Sequence, residues 1–179
     1  GAGSTVNVPI AGGMSVTDAL TANPATTLLA PSAFAQLGLV TQGVPEERIA
    51  VVPRGIDPGF FRPPSDSERD NLRERFGWSD EFVFLNVSAM TDNKGIDRLI
   101  RAFAAVVAHY PQARLVLKGV DSIYRSKDRF TGIMRQLSPE MAAMVEPRIT
   151  YIGGNYKLVD MTRLYQCADV LVAPYLSEA

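Results

Sequence analysis

Residues 82–110 read FVFLNVSAMTDNKGIDRLIRAFAAVVAHY, an apolar run followed by a polar loop and an amphipathic segment. The run Phe82–Val87 predicts a buried β-strand, because it is short, continuous and rich in aromatic and β-branched residues. The segment from Lys94 predicts a helix, since its apolar residues recur at helical spacing along one side. The residues of that side are Ile96, Leu99, Ile100, Phe103, Val107 and Tyr110.

The alternation of apolar runs and helical patterns continues to the end of the chain. Further strands are predicted over residues 113–117, 149–152 and 169–173. These runs are continuous rather than alternating, which is typical of parallel strands covered by helices on both faces. The sequence therefore predicts an α/β fold with a doubly wound, Rossmann-like parallel sheet.

Several features divide the chain near residue 58. On its N-terminal side, Ser32 is placed to cap a helix that Gly43 ends. Residues 58–67 are rich in proline and are typical of a linker. Ser67 is expected to begin the next helix, with Asp70 completing an approximate capping box. We therefore predict the tail of an N-terminal domain over 1–57, an interdomain linker over 58–67 and a second domain over 68–179.

Composition excludes several classes of protein. The chain has 18 Lys and Arg residues against 19 Asp and Glu, so it lacks the basic excess of a nucleic-acid-binding protein. No apolar run approaches the roughly 18 to 20 residues of a membrane span, and no signal-peptide pattern precedes the first domain. The single Cys167 lies in an apolar helical pattern and is expected to be a core residue. These features favour a cytoplasmic protein, and both ends of the chain look cut.

The loop 88–95 is the first place where a ligand is expected, because open parallel sheets bind ligands beyond the carboxyl ends of their strands. Lys94 stands where a helix is predicted to begin, and a cation there is unfavourable unless an anion lies beside it. Gly95 adds to the case, since glycine in a first turn is costly unless something approaches closely. The alternative interpretation is an exposed lysine that the helix tolerates.

Other chemistry finds little support in the sequence. The start Gly1-Ala2-Gly3 resembles a dinucleotide fingerprint only superficially, because no strand precedes it. His109 is expected to cap the end of the Lys94 helix. With one His and one Cys a zinc site is excluded, and no Asp-x-Asp pair offers a divalent metal site. We therefore predict no metal and no cofactor.

Five segments together resemble the retaining GT-B glycosyltransferases of the "glycosyl transferases group 1" type, which include glycogen synthase and bacterial mannosyl- and glucosyltransferases. The resemblance covers roughly residues 27–179 and rests on the order and spacing of the segments. They are 31–34 (PSAF), 43–57 (GVPEERIAVVPRGID), 93–103 (NKGIDRLIRAF), 148–153 (RITYIG) and 168–174 (ADVLVAP), the last leading to Glu178. The resemblance implies that 68–179 is most of the donor-binding domain and that 1–57 is the tail of the acceptor domain.

The resemblance also implies roles for individual residues. Lys94 would contact the donor diphosphate, and Glu178 would be the first of two glutamates that hold the donor sugar and the ribose. Residues 151–156 would line the pocket of the nucleotide base, largely through main-chain groups. The implied catalytic residues are Lys94 and Glu178. The implied donor-binding residues are Ser88, Asn93, Lys94, Gly95, Gly119, Tyr151, Gly153, Asn155 and Tyr156.

The chain departs from the family pattern at four places, one of which is Arg54, where asparagine is commoner. The family usually has an arginine before the lysine as a second diphosphate ligand, but Ser88 and Ala89 occupy those positions. Lys118 and Gly119 replace a more usual acidic turn, and we interpret this as surface variation in preference to a compensating charge. The second glutamate lies beyond the end of the sequence.

From these features we predict a metal-independent transfer of sugar from a UDP- or GDP-sugar, with retention of configuration, to an unknown saccharide, lipid or protein. The fragment alone is expected to bind the donor without turnover. One alternative is a nonenzymatic nucleotide-sugar-binding module used for assembly or regulation, which sugar transfer by the parent protein would eliminate. Another is a GT-B sugar-nucleotide epimerase, which product analysis would separate from a transferase. Self-association through the truncated sheet edge is also conceivable.

Overall fold

The computed structural model describes residues 25–176. The chain divides into two compact units between Asp57 and Pro58. The interpretation of Gly1 to Gly3 and the predicted role of Glu178 concern residues outside the described range.

The first unit pairs two short parallel strands, β1 (Leu28–Ala30) and β2 (Ile49–Val51). Between them lie helix α1 (Ala33–Thr41) and a 3-10 turn at Glu46–Arg48. Ser32 caps α1 as the sequence predicts, since its side chain accepts a hydrogen bond of 3.1 Å from the Ala35 N–H. Gly43 follows the helix with a φ of 90°, a conformation that glycine adopts without strain.

The second unit alternates strands and helices. Helix α2 (Asp66–Phe76) comes first and strand β3 (Phe82–Val87) follows it. The remaining elements are α3 (Ile96–His109), β4 (Ala113–Lys118), α4 (Asp121–Tyr124), α5 (Ser126–Arg135), α6 (Pro139–Val145), β5 (Ile149–Ile152), α7 (Leu158–Cys167) and β6 (Val170–Leu171). Two 3-10 turns lie at Asp92–Lys94 and Glu146–Arg148.

The four strands of this unit form a parallel sheet in the order β5-β4-β3-β6. Its side chains alternate between two cores, as the period of a strand requires. Leu115 and Leu117 of β4 pack with helices α3 and α6, whereas Val116 packs on the opposite side with Leu164 and Trp78. Helices therefore cover both faces, and the predicted doubly wound α/β fold is confirmed.

The start of helix α2 and the extent of strand β6 differ from the prediction. Helix α2 is capped by Ser65, and Glu68 completes the capping box, so the prediction of Ser67 and Asp70 was wrong. Glu68 also pairs with Arg62, which favours this start two residues earlier. The strand predicted over 169–173 is limited to Val170–Leu171, although the main-chain N–H groups of Asp169 and Val172 also donate to carbonyl oxygens of β3. His109 bonds the Ala105 carbonyl inside α3.

A charged cluster lies at the amino end of the sheet, around Arg73. This arginine is 6% exposed, and its guanidinium donates to the carboxylate of Asp169 and to the carbonyl oxygens of Cys167, Trp78 and Glu81. Asp169 also accepts hydrogen bonds from Arg69 and from the Val83 N–H. The cluster therefore joins α2 to the starts of β3 and β6.

The hydrogen bonds around Asp169 lower the pKa of its carboxyl group. Burial by itself raises the pKa of Asp169, but the hydrogen bonds from the Val83 N–H, Arg69 and Arg73 together outweigh it. The pKa of the carboxyl therefore lies below its ordinary value, and Asp169 is charged at neutral pH.

Candidate functional site

The loop between β3 and α3 carries the lysine that the sequence singles out. Lys94 is the last residue of the 3-10 turn Asp92–Lys94, and helix α3 begins at Ile96 after the N-cap Gly95. The prediction that the helix starts at Lys94 was therefore wrong by two residues. Gly95 ends the tight turn in the left-handed region, with a φ of 63°. Lys94 still lies beside the first N–H groups of α3, and Gly95 has no side chain with which to cap them.

The segment after β6 crosses this loop. The Tyr175 hydroxyl donates to the Val87 carbonyl at 2.9 Å, and the Leu176 N–H donates to the Asn93 carbonyl at 2.8 Å. The Lys94 Nζ lies 4.2 Å from the centroid of the Tyr175 ring, a distance typical of a cation–π contact. A Cβ on Gly95 would overlap the Pro174 carbonyl oxygen, so the close approach expected at Gly95 comes from this segment.

A cavity of about 430 Å³ opens at the carboxyl ends of β3 and β4. Four residues of the predicted donor set line it, together with Lys118 and four further residues. The predicted ones are Ser88, Gly119, Asn155 and Tyr156, and the others are Val87, Ala89, Val120 and Met161. The volume is within the usual range for a small-molecule site.

Lys118 lies in this cavity and is 3% exposed. The interpretation of Lys118 as surface variation was therefore wrong. Its Nζ donates to the carbonyl oxygens of Gly119 and Gly154, the latter at 2.8 Å, and lies 5.2 Å from the centroid of the Tyr156 ring. Burial lowers the pKa of Lys118, and the negative charge of Asp121 offsets part of this effect. The sequence carried a signal, since this lysine directly follows the apolar run 115–117 of strand β4.

Tyr151 lies behind the cavity in a hydrogen-bonded network. Its ring stacks on Phe130 at a centroid distance of 5.1 Å, and its hydroxyl donates to Asp121, whose carboxylate also accepts from the Lys127 N–H at 2.9 Å. Burial first, and then the bond to Asp121, raise the pKa of Tyr151. The side chain of Tyr151 does not line the cavity, so any contact of this residue with a ligand there would come from its main chain.

The same network explains why glycine occupies positions 119 and 153, two of the predicted donor-binding residues. A Cβ on Gly119 would crowd Ser126 and the Tyr151 hydroxyl, and a Cβ on Gly153 would overlap the Asp121 carboxylate. Both positions are therefore restricted to glycine by packing within the domain. Gly153 also accepts a hydrogen bond of 3.0 Å from the Asp121 N–H, which fixes the loop after β5.

The loop after β3 is held from two sides. The Ser88 hydroxyl donates to the side-chain oxygen of Asn86 at 2.8 Å, and the Asn86 amide donates to the Val172 carbonyl at 2.7 Å. From the other side, the buried Ser126 hydroxyl donates to the Ala89 carbonyl at 3.0 Å. The structure thus connects the loops after β3, β4 and β6, and sequence reasoning missed Asn86, Asp121, Ser126 and Tyr175 as parts of this arrangement.

Asn155 lies at the rim of the cavity. Its side-chain oxygen accepts a hydrogen bond of 2.9 Å from Ser122 of α4. Between residues 25 and 176 there is no group of three or more His, Cys, Asp or Glu side chains arranged to hold a metal ion. None of the helices in that same part of the chain is long and apolar enough to cross a membrane.

Comparison with known proteins identifies relatives of this arrangement. Residues 68–179 match the family described as glycosyl transferases group 1. The chain is 30% identical over 132 residues to a mannosylfructose-phosphate synthase of Agrobacterium fabrum, an alignment that covers 73% of the chain and 28% of the relative. It is 26% identical over 124 residues to a GDP-mannose-dependent monoacylated alpha-(1-6)-phosphatidylinositol monomannoside mannosyltransferase of Corynebacterium glutamicum, covering 69% of the chain and 29% of the relative.

The fold also matches solved structures of glycosyltransferases. HepE of Anabaena, crystallised with UDP and glucose, superposes with a TM-score of 0.66 at 22% identity, over 84% of this chain and 38% of HepE. This likeness supports the predicted GT-B fold. The chain spans less than a third of the length of the two curated relatives.

Proposed function

The chain belongs to the glycosyl transferases group 1 family, and on that premise we propose that its second unit binds a nucleoside diphosphate sugar. The whole protein would transfer the sugar from this donor to an acceptor with retention of configuration. The names of the relatives support a nucleotide-linked donor, since one uses GDP-mannose and HepE was crystallised with UDP. In this reaction the function of the second unit would be to bind the donor.

The observation that carries the proposal is the position of Lys94 at the carboxyl edge of a parallel sheet. Its ammonium group is oriented by the Tyr175 ring, whose hydroxyl is anchored on the Val87 carbonyl. The first N–H groups of α3 follow directly, and such groups bind phosphate oxygens. A diphosphate placed here would meet a fixed cation and the positive end of a helix.

This arrangement suits the chemistry of sugar transfer. When the sugar leaves, negative charge grows on the diphosphate, and preorganised donors that meet this charge lower the barrier. We propose that Lys94 and the amide groups of α3 supply this stabilisation without a divalent metal. The role of Glu178, which lies outside the described residues, stays a prediction from the family resemblance.

The cavity beside Lys118 would hold the nucleotide base. Its lining by Val87, Val120 and Met161 is apolar, and the Tyr156 ring adds an aromatic wall. A planar, partly apolar base is better matched to such walls than a diphosphate is. The base and the diphosphate would then lie along neighbouring loops of one sheet edge.

Titration of the chain with UDP and GDP by calorimetry tests the proposal. In Lys94→Ala the affinity for the nucleotide that binds should fall roughly tenfold to a hundredfold, because a charge-assisted hydrogen bond is lost. Lys127→Ala removes an exposed lysine of α5 and serves as the matched control. Unchanged affinity in a folded Lys94→Ala protein would remove the proposed diphosphate site.

Two further measurements test whether binding needs a metal and whether transfer retains the anomeric configuration. Addition of EDTA should leave the affinity for the nucleotide unchanged, and a loss of binding would contradict a metal-independent site. In the whole protein, the anomeric configuration of the product can be determined by NMR. Inversion would contradict retention, and donor binding without any transfer would favour the nonenzymatic module.

A further inference from the structure

Lys118 is a buried cation whose hydrogen bonds are incomplete. An ammonium group has three N–H donors, and those of Lys118 reach two acceptors, the carbonyl oxygens of Gly119 and Gly154. Apart from the Tyr156 ring, whose centroid lies 5.2 Å from the Nζ, residues 25–176 give its third N–H no acceptor and its charge no carboxylate within ion-pair distance. A buried charge without a full set of partners is costly, so its presence in a domain core needs a cause.

The cavity gives a ligand access to this lysine. Lys118 is itself a lining residue, and its neighbours in the wall are largely apolar. Asn155, which also lines the cavity, is exposed, whereas Lys118 is 3% exposed. A ligand that fills the cavity would bring some of its atoms close to Lys118.

We infer that Lys118 reads the base of the bound nucleotide, by donating its third N–H to the carbonyl oxygen that uracil carries at C4 and guanine at C6. This inference rests on the proposed function, because it requires a nucleoside diphosphate in the site. With the diphosphate at Lys94, as proposed above, the ribose would lie on the Lys94 side of the cavity and the base edge farthest from the sugar would face Lys118. Lys118 would thereby be a specificity-determining residue.

The chemistry of the four common bases makes this selection sharp. Cytosine and adenine carry an amino group where uracil and guanine carry the carbonyl. An amino group presents N–H donors to an ammonium that can only donate, so neither partner would be satisfied. Sites that hydrogen-bond a ligand group reject analogues lacking it, because buried polar groups are then left unpaired. We therefore expect the site to prefer UDP over CDP, or GDP over ADP.

The wild-type chain gives the first test. Calorimetric titration with UDP, CDP, GDP and ADP should show at least one of these keto and amino pairs separated by roughly tenfold to a hundredfold in favour of the keto nucleotide. Equal affinity within both pairs would overturn the role of Lys118 and leave the proposed function standing. Failure of all four nucleotides to bind would overturn the proposed function itself.

The variant Lys118→Met gives the second test, since methionine keeps an apolar stem of similar length and removes the donors. The preference for the keto nucleotide should fall to within about threefold, while the affinity for inorganic diphosphate stays unchanged. Lys127→Met applies the same substitution to an exposed lysine and should keep the preference. A preference that persists in Lys118→Met, or an equal loss for all nucleotides and for diphosphate, would overturn the inference. If this variant does not fold by circular dichroism, Lys118→Arg replaces it, because arginine retains the donors and should keep the keto preference.

Discussion

Two buried cations lie at opposite ends of the sheet, and their surroundings differ. At the amino end, Arg73 donates to a carboxylate and to three carbonyl oxygens. At the carboxyl end, Lys118 donates to two carbonyl oxygens, and the cavity lies beside it. Arg73 is thus satisfied within the chain, whereas Lys118 keeps one N–H for which we propose a ligand as the acceptor.

The difference separates stability from binding within one domain. A buried ion pair that loses one partner is strongly destabilised, because the other charge stays buried without compensation. Lys118 donates to neutral carbonyl oxygens, so its removal leaves no opposite charge buried without a partner. Substitutions at the two ends should therefore give opposite patterns of effects on unfolding and on nucleotide affinity.

The largest effect is expected from Arg73→Met. Removing the guanidinium leaves Asp169 and three carbonyl oxygens without their main donor, and the free energy of unfolding should fall by about 3 kcal/mol. The nucleotide affinity of the folded fraction should stay within twofold of wild type, because Arg73 lies at the other end of the strands. Urea denaturation followed by tryptophan fluorescence measures the first quantity, and calorimetry measures the second.

Arg75→Met is the matched control for this substitution. Arg75 is exposed on the same helix, so its loss should change the unfolding free energy by less than about 0.5 kcal/mol. A loss below about 1 kcal/mol in Arg73→Met would mean that the charged cluster contributes little. The two ends would then no longer differ in their role.

A smaller effect is expected from Gly153→Ala at the carboxyl end. The new Cβ would overlap the Asp121 carboxylate, which is held by Tyr151 and by the Lys127 N–H and cannot move freely. Overpacking of this kind costs about 1 to 3 kcal/mol of unfolding free energy. It should also displace the adjacent turn whose Gly154 carbonyl bonds Lys118, and so weaken nucleotide binding several-fold.

Gly154→Ala provides the comparison for this prediction. A Cβ on Gly154 meets nothing within 4 Å, so the unfolding free energy should change by less than about 0.5 kcal/mol. Equal destabilisation by the two alanines would contradict the packing argument. A Gly153→Ala protein with lowered stability and unchanged nucleotide affinity would separate the network around Asp121 from the cavity.

The sequence predicted the fold because each of its local signals agreed with the next. The continuous apolar run of β3 and the one-sided pattern of α3 both require a sheet covered by helices. Boundaries were less certain where side chains compete for the same role. Ser65 and Ser67 are both plausible caps, and the first is favoured by its capping box with Glu68, which also pairs with Arg62.

The candidate site was predictable in its loops but not in its contacts. Lys94 followed from a cation near a helix start, which is a local property of the sequence. The burial of Lys118 did not, because it depends on the loops after β4 and β5 meeting around the Nζ. Likewise, the requirement for glycine at 153 arises from Asp121, which is 32 positions away in the chain and adjacent only in the fold.

The smallest effects should appear in the pH dependence of stability, where both folded pKa values are lowered and stability should rise with pH, in the acid range for Asp169 and in the alkaline range for Lys118. The folded pKa of Asp169 lies below the ordinary value of about 3.9. Its contribution is therefore present above that pH and is lost as the pH falls through the folded pKa. The stability advantage of wild type over Asp169→Asn should accordingly shrink in acid, as thermal unfolding at a series of pH values would measure.

Lys118 should respond at the other end of the pH scale. Its folded pKa lies below the ordinary lysine value of about 10.4, so between these two values the unfolded chain binds more protons than the folded one. The stability of wild type relative to Lys118→Met should then rise as the pH increases towards 10.4. A difference that falls over this range would mean that folding favours the charged lysine, as a carboxylate partner would make it do. Lys118 would then have all its hydrogen-bond partners within the chain, as Arg73 has. Its third N–H would not require an acceptor on a nucleotide base.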